Sequence, residues 1–314
     1  MAKKKTKSKP KPKTTKTKSK VKKETEKKKP TPIKEKKSKP QKKGFLLIIP
    51  VIIIICVIGL IWFTQASESV QAQLIIDSGT VQVKQEGGQW TSAEDGMLIS
   101  QSYSVRTGDN SSATVILFES SIIRLDSNTE ITLEEMIKEA ETSVKITQDS
   151  GRTWNTVLKI SGIDDYEVQT PTTVASVRGT AFVIIVQPNG TTYYGVSHGI
   201  LNVSYVSNGS IQGSIDVSGN ESVIVYVDMI GQTLEIKPFD IDDWVLQNLL
   251  EDEQLRNDIK NEIYSRIEPY IPELKELYGV TDEELEVLID GYVQGYFDLP
   301  PETPDWIRDL IELS

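Results

Sequence analysis

Twenty consecutive residues from Phe45 to Thr64, FLLIIPVIIIICVIGLIWFT, carry no charge. As a helix rising 1.5 Å per residue, that run matches the roughly 30 Å hydrocarbon core of a bilayer. Charge is partitioned on either side of it. Residues 1–44 hold 21 Lys against 3 Glu, a net of +18, whereas 45–314 hold 14 basic and 42 acidic residues, a net of −28. Cationic flanks stay on the cytoplasmic side of a membrane, so Lys42 and Lys43 put the N-terminus in the cytoplasm and the C-terminal 250 residues outside. Pro50 falls in the first turns, where a missing backbone donor costs least. Trp62 falls at the outer end, where an indole prefers the interface. The competing reading is a cleaved signal peptide, with Thr64-Gln65-Ala66 as a weak small-residue cleavage site. The apolar run is longer than the usual 7–15 residues and its basic prelude is very long, which favours an uncleaved anchor. The expectation is a single-pass protein of the cell membrane.

The tail, 1–44, has only Met1, Ala2, Val21 and Ile33 as larger apolar or alanine side chains before its end. Such a stretch buries too little surface to offset chain entropy and is expected to be disordered and extended by its own repulsion. Clustered lysines beside a membrane helix gain about 1 kcal/mol each near anionic head groups, which makes lipid the expected partner. The tail lacks aromatic residues for stacking on bases, and no nucleic-acid partner is expected. Cys56, the one cysteine, lies inside the apolar run, so neither an internal disulfide nor a cysteine metal cluster can form.

Residues 65–78 read as a polar stalk, and 79–238 as an all-β extracytoplasmic domain of sandwich or barrel type. Short runs rich in Val, Ile, Thr and Tyr recur every 8–12 residues between turn signals such as Gly87-Gly88, Asn189-Gly190 and Asn208-Gly209. Candidate strands are 80–84, 113–118, 122–125, 130–136, 143–147, 153–160, 166–169, 173–186, 191–196, 201–206, 222–227 and 233–237. The longest, 173–186, is apolar on both faces and is expected to be central. Arg178 sits within it. An unpaired guanidinium there would be costly, so Arg178 is expected in a buried ion pair, with an anion-binding role as the alternative. Gly179 is expected to admit a close neighbour.

Val168-Gln169-Thr170-Pro171, followed by Val177-Arg178-Gly179-Thr180-Ala181-Phe182, forms a T-P…V-R-G-T-x-F pattern. Gly79 to Val83, Val105 to Gly108, Ser112 to Phe118, Ser121 to Leu125, Gly151 to Trp154 and Gly199 to Val203 flank it in order. This series resembles the FecR family, the extracytoplasmic module of ferric-citrate-type transmembrane signalling regulators. The resemblance implies its β fold and topology. It marks Thr170, Pro171, Val177, Arg178, Gly179, Thr180 and Phe182 as motif residues, structural or ligand-facing. Family regulators pair this module with a helical cytoplasmic domain that binds a sigma factor, a place taken here by the lysine tail.

From 239 to 314 the period changes to helical and the surface becomes acidic. Trp244, Val245, Leu246, Leu249, Leu250, Leu255 and Ile259 recur at helical spacing, Pro269 and Pro272 interrupt the pattern, Thr281 and Glu284 form a capping box, and Thr303-Pro304 starts a last helix. A helical cap on the β domain is expected, with a partner-docking surface as the alternative.

Catalytic chemistry finds little support. His198 is the single histidine, with no nucleophile-elbow pattern and too few ligands for zinc, so no catalytic, metal or cofactor site is expected. The acidic runs Asp164-Asp165, Asp240 with Asp242-Asp243, and Glu251-Asp252-Glu253 fit no calcium loop and read as solvated surface, with weak calcium binding as the alternative. Five N-x-S/T sequons, at Asn110, Asn189, Asn202, Asn208 and Asn220, are acceptors for N-glycosylation in an organism that modifies its surface, or else ordinary turn asparagines. The sequence therefore points to a non-catalytic, membrane-anchored binding or sensing protein with an extracytoplasmic protein or glycan as partner. The alternatives are a transmembrane signalling regulator and a structural cell-envelope glycoprotein.

Overall fold

The computed structural model describes residues 70–118, 121–138, 141–177, 179–207, 210–227, 234–296, 299 and 303–311. The lysine tail and the apolar run 45–64 lie outside them. Among the described residues no helix is long and apolar enough to cross a membrane.

Among the described residues, seventeen strands come first. They are β1 (Gln71–Ser78), β2 (Val81–Gln85), β3 (Thr91–Ser92), β4 (Met97–Ser100), β5 (Tyr103–Thr107), β6 (Ser112–Leu117), β7 (Ser121–Leu125), β8 (Glu130–Lys138) and β9 (Thr142–Val157). After a 3-10 turn at Lys159–Ser161 follow β10 (Ile163–Gln169), β11 (Thr173–Val177), β12 (Thr180–Val186), β13 (Thr192–His198), β14 (Ile200–Ser207), β15 (Ser210–Ser218), β16 (Glu221–Val225) and β17 (Lys237–Pro238). Among the described residues four α-helices follow: α1 (Asp243–Ile267), α2 (Ile271–Tyr278), α3 (Asp282–Val293) and α4 (Asp305–Ile311).

The strands form two sheets joined by one long strand. Sheet A runs β4-β1-β6-β7-β9-β12-β13-β16-β17. Sheet B runs β3-β2-β5-β8-β9-β10-β11-β14-β15, and its β9–β10 pair is the parallel one. The first half of β9 belongs to sheet B and the second half to sheet A. Gly151 marks the change, at φ +86°, with Thr129 packed where a side chain would stand.

Both sheets turn alternate residues inward onto one core. Leu74, Val115 and Ile123 of sheet A meet Val83, Val105 and Ile131 of sheet B in it. Trp154, Ala181 and Val183 lie on the opposite, outward face of sheet A, and the helices cover them.

Several expected boundaries change. Residues 71–78 are not stalk: β1 is a core strand pairing with β4 and β6. The separate strands 143–147 and 153–160 are the single β9, because Gly151 bends the ladder without ending it. The run 173–186 is two strands in different sheets. Ala175 and Val177 face the core from sheet B, and Phe182, Ile184 and Val186 face it from sheet A. The chain crosses the sandwich between them, so both flanks present apolar residues to the same core. This is why both faces of that segment read as buried. Gly179 stands at the crossing with φ +68°, and the nearest atom to an added Cβ would be Lys159 Cβ at 3.4 Å. Its backbone conformation is what requires glycine there, not the close neighbour expected. The expected strand 233–237 reduces to the two residues of β17, with Thr233 outside the described residues.

Candidate functional site at the helix–sheet junction

The outward face of sheet A carries Arg124 on β7 directly across from Trp154 on β9, with Thr156 two residues further on. α1 lies over them and inserts Asp252, which is 0% exposed. Its Oδ1 accepts from Arg124 Nη1 at 2.6 Å and Thr156 Oγ1 at 2.7 Å. Its Oδ2 accepts from Trp154 Nε1 at 2.9 Å. Arg124 Nε also reaches Glu251 Oε2 at 2.9 Å. A carboxylate this deep is costly to desolvate, and three donors, one of them charged, offset that cost.

A second tie holds the start of the helix. Asp242 caps α1 by accepting from the Val245 amide, and the Arg152 guanidinium reaches the same carboxylate at 2.8 Å. The Arg152 hydrogen bond holds the Asp242 carboxyl below its ordinary range. The guanidinium of Arg152 also lies 4.3 Å over the Trp244 ring. Further along, Ile259, Ile263 and Ile267 of α1 pack with Leu285 and Ile289 of α3 against Leu158 and Ile160 at the end of β9.

Between the first half of α1 and β1, β6 and β7 is a cleft of about 310 Å³. Asp77, Thr114, Arg124, Asp126, Trp244, Asn248 and Glu251 are among its lining residues. Partial burial raises the Asp77 carboxyl, against the lowering effect of a 2.8 Å hydrogen bond from Thr114. A second cavity, of about 80 Å³, lies inside the helical bundle and is lined almost wholly by apolar residues, among them Leu274, Leu285, Ile289 and Ile307.

The described motif residues lie elsewhere and are not among the lining residues of either cavity. Thr170 and Thr173 bond to each other, and Thr173 bonds in turn to the Tyr194 hydroxyl. Thr172 donates to the Gly190 carbonyl at 3.0 Å. The turn containing exposed Pro171 is thereby stapled to the β12–β13 hairpin. Thr180 Oγ1 donates to the Ile200 carbonyl at 3.1 Å, while Val177 and Phe182 are core residues. Phe182 meets Tyr166 edge-on at 6.4 Å. Arg178 lies outside the described residues.

Asn110, Asn189, Asn202 and Asn220 are exposed, and Asn208 lies outside the described residues. His198 ends β13 with its ring edge on Tyr296 at 5.7 Å. Burial and the nearby Arg256 lower its pKa, against a hydrogen bond to the Gln294 backbone. Reading Glu251-Asp252-Glu253 as solvated surface fails at its middle residue. An acidic run gives no sign of which member faces inward. Only the phase of the apolar stripe, Val245, Ile259 and Ile263, could have shown that Asp252 lies on the sheet side.

The class defined by these features is a two-sheet all-β domain closed on one outer face by its own C-terminal helices. Residues 103–202, from β5 to the start of β14, match the family described as FecR protein, so the chain carries a FecR domain. Two crystal structures of a candidate anti-sigma factor from Parabacteroides distasonis are similar to it at 17% identity. Each aligns over 44% of this chain and 60% of its own, with a TM-score of 0.36. The chain thus spans less than two thirds of those proteins. No curated protein matches it.

Proposed function

We propose that this is a membrane-anchored, extracytoplasmic FecR-type binding or sensing protein that performs no chemistry of its own. The observation that carries the reading is the FecR domain at 103–202 with a polar cleft where α1 meets sheet A. A cleft of that size is at the lower end of the roughly 300–1,000 Å³ typical of small-ligand sites. The 20-residue apolar run supplies the anchor, the lysine tail meets anionic lipid, and the partner outside is a protein or glycan. The FecR domain also favours a second reading, a transmembrane regulator passing an outside event to a cytoplasmic partner. The exposed sequons favour a third, a structural glycoprotein of the envelope.

Cross-linking of the full-length protein in intact cells, followed by mass spectrometry, separates these readings. A specific partner cross-linked to residues beyond 70 supports the first reading. A cytoplasmic protein cross-linked to the lysine tail supports the second. Attached glycans with only abundant envelope neighbours would contradict both in favour of the third.

A further inference from the structure

We propose that the edge strand β15 pairs antiparallel with β15 of a second copy of the chain, making a two-fold dimer through sheet B, a step beyond the readings above. A free sheet edge presents a row of unpaired backbone donors and acceptors, and proteins usually blunt it with shortness, lysine or proline. The other three edges here are short. β4 has four residues, and β3 and β17 have two each. β15 has nine residues, pairs only with β14 among the described strands, and contains neither Lys nor Pro. A bulge at Gln212 interrupts that ladder, and Gly213 to Ser218 keep a regular register. The edge is long and unprotected enough to accept a further strand.

The occupant follows from the strand's own sequence. SIQGSIDVS has nearly the same chemistry read in either direction from its central Ser214. With Ser214 on the two-fold axis, Ile211 stands opposite the second copy's Val217, Gln212 opposite Asp216, Gly213 opposite Ile215 and Ser210 opposite Ser218. Asp216, the one charge of the strand, then faces an amide and not another carboxylate. The core points the same way. Tyr205 and Ile215 are its partly buried end, where sheet B runs out of strands. Gly213 leaves its side-chain space to the Tyr205 ring, whose nearest carbon is 2.6 Å from where a Cβ would stand. A second β15 lays its Ile215 beside Gly213 and Tyr205 and continues the core across the axis. Ile211, 67% exposed, gains an apolar neighbour in the same step.

The test uses the full-length protein in detergent micelles, with its mass followed by analytical ultracentrifugation at micromolar concentrations. A dimer is expected. Ser214→Lys sets two ammonium groups opposite each other at an exposed position and should weaken dimerisation by about tenfold or more, with an unchanged circular dichroism spectrum. Mixing Ser214→Lys with Ser214→Glu should restore a dimer holding one copy of each. In a Cys56→Ser background, Ser214→Cys should cross-link to itself on oxidation, because opposite residues of an antiparallel pair lie about 4.5–5.5 Å apart, within reach of a disulfide. Ser218→Cys should cross-link only when mixed with Ser210→Cys, since the two copies of position 218 lie roughly 27 Å apart in this register. A monomer at every concentration, with no cross-link at position 214, would overturn the proposal. So would a dimer that Ser214→Lys leaves intact, which would place the contact elsewhere in the chain. A monomer whose capture of a different protein in cells is lost in Ser214→Lys would give the edge to that partner's strand, overturning the second copy as occupant while the binding reading stands.

Discussion

Arg124 and Asp252 stand 128 residues apart in sequence and 2.6 Å apart in space. One belongs to the β sandwich and the other to the acidic helices beyond it, so the pair ties the helices to the sandwich. The net contribution of such a buried pair is modest, because desolvation offsets most of the attraction. Its loss is not modest.

Asp252→Ala should destabilise the protein by about 3–5 kcal/mol, since Arg124 and Trp154 Nε1 lose a buried acceptor together. Arg124→Met combined with Asp252→Leu should cost less than the single change, because no uncompensated charge remains. Denaturant unfolding of the three proteins measures this. A single-mutant loss within about 0.5 kcal/mol, the range of ordinary surface changes, would mean that the network holds nothing.

Two tyrosines should resist ionisation. Burial pushes Tyr194 up to about 12 and Tyr166 higher still. An exposed tyrosine titrates near 10. A folded pKa above the unfolded one gives stability that is complete below about 10 and is lost as pH rises through the folded value. In an alkaline absorbance titration, two of the eleven tyrosines should ionise only as the domain unfolds. Smooth ionisation of all eleven before unfolding would contradict the burial.

His198 gives the opposite slope at lower pH. Its pKa is lowered from 6.5, first by burial and then by Arg256. The neutral ring is favoured in the folded state, so stability is complete above 6.5 and declines as pH falls through the lower folded value. His198→Gln should flatten the melting-temperature profile on the acid side of 6.5. An imidazole that titrates at or above 6.5 by NMR would contradict this.

Much of the architecture was legible because local chemistry and tertiary structure agreed. The Thr281–Glu284 capping box forms as its spacing predicts, with both reciprocal bonds present. The Asn189-Gly190 turn does join two paired strands. What was missed came from residues whose local signal points the wrong way. β1 begins QAQ, which resembles the polar stretch before it, and only pairing with β4 and β6 makes it a strand. β15, SIQGSIDVS, is rich in serine and carries a glycine, and the β14 ladder overrides that weak propensity. Asp252 belongs to a run of three acids, two of them exposed. Its role comes from Arg124, Trp154 and Thr156, which no reading of adjacent residues could place beside it.

The central claim is that the FecR domain works outside a membrane that the run 45–64 anchors. In a Cys56→Ser background, Ser8→Cys and the exposed Ser218→Cys each provide one thiol. A membrane-impermeant maleimide added to intact cells should label the thiol at position 218 at once, and the one at position 8 only after permeabilisation. Labelling at position 8 in intact cells, with position 218 protected, would invert the topology and contradict the account.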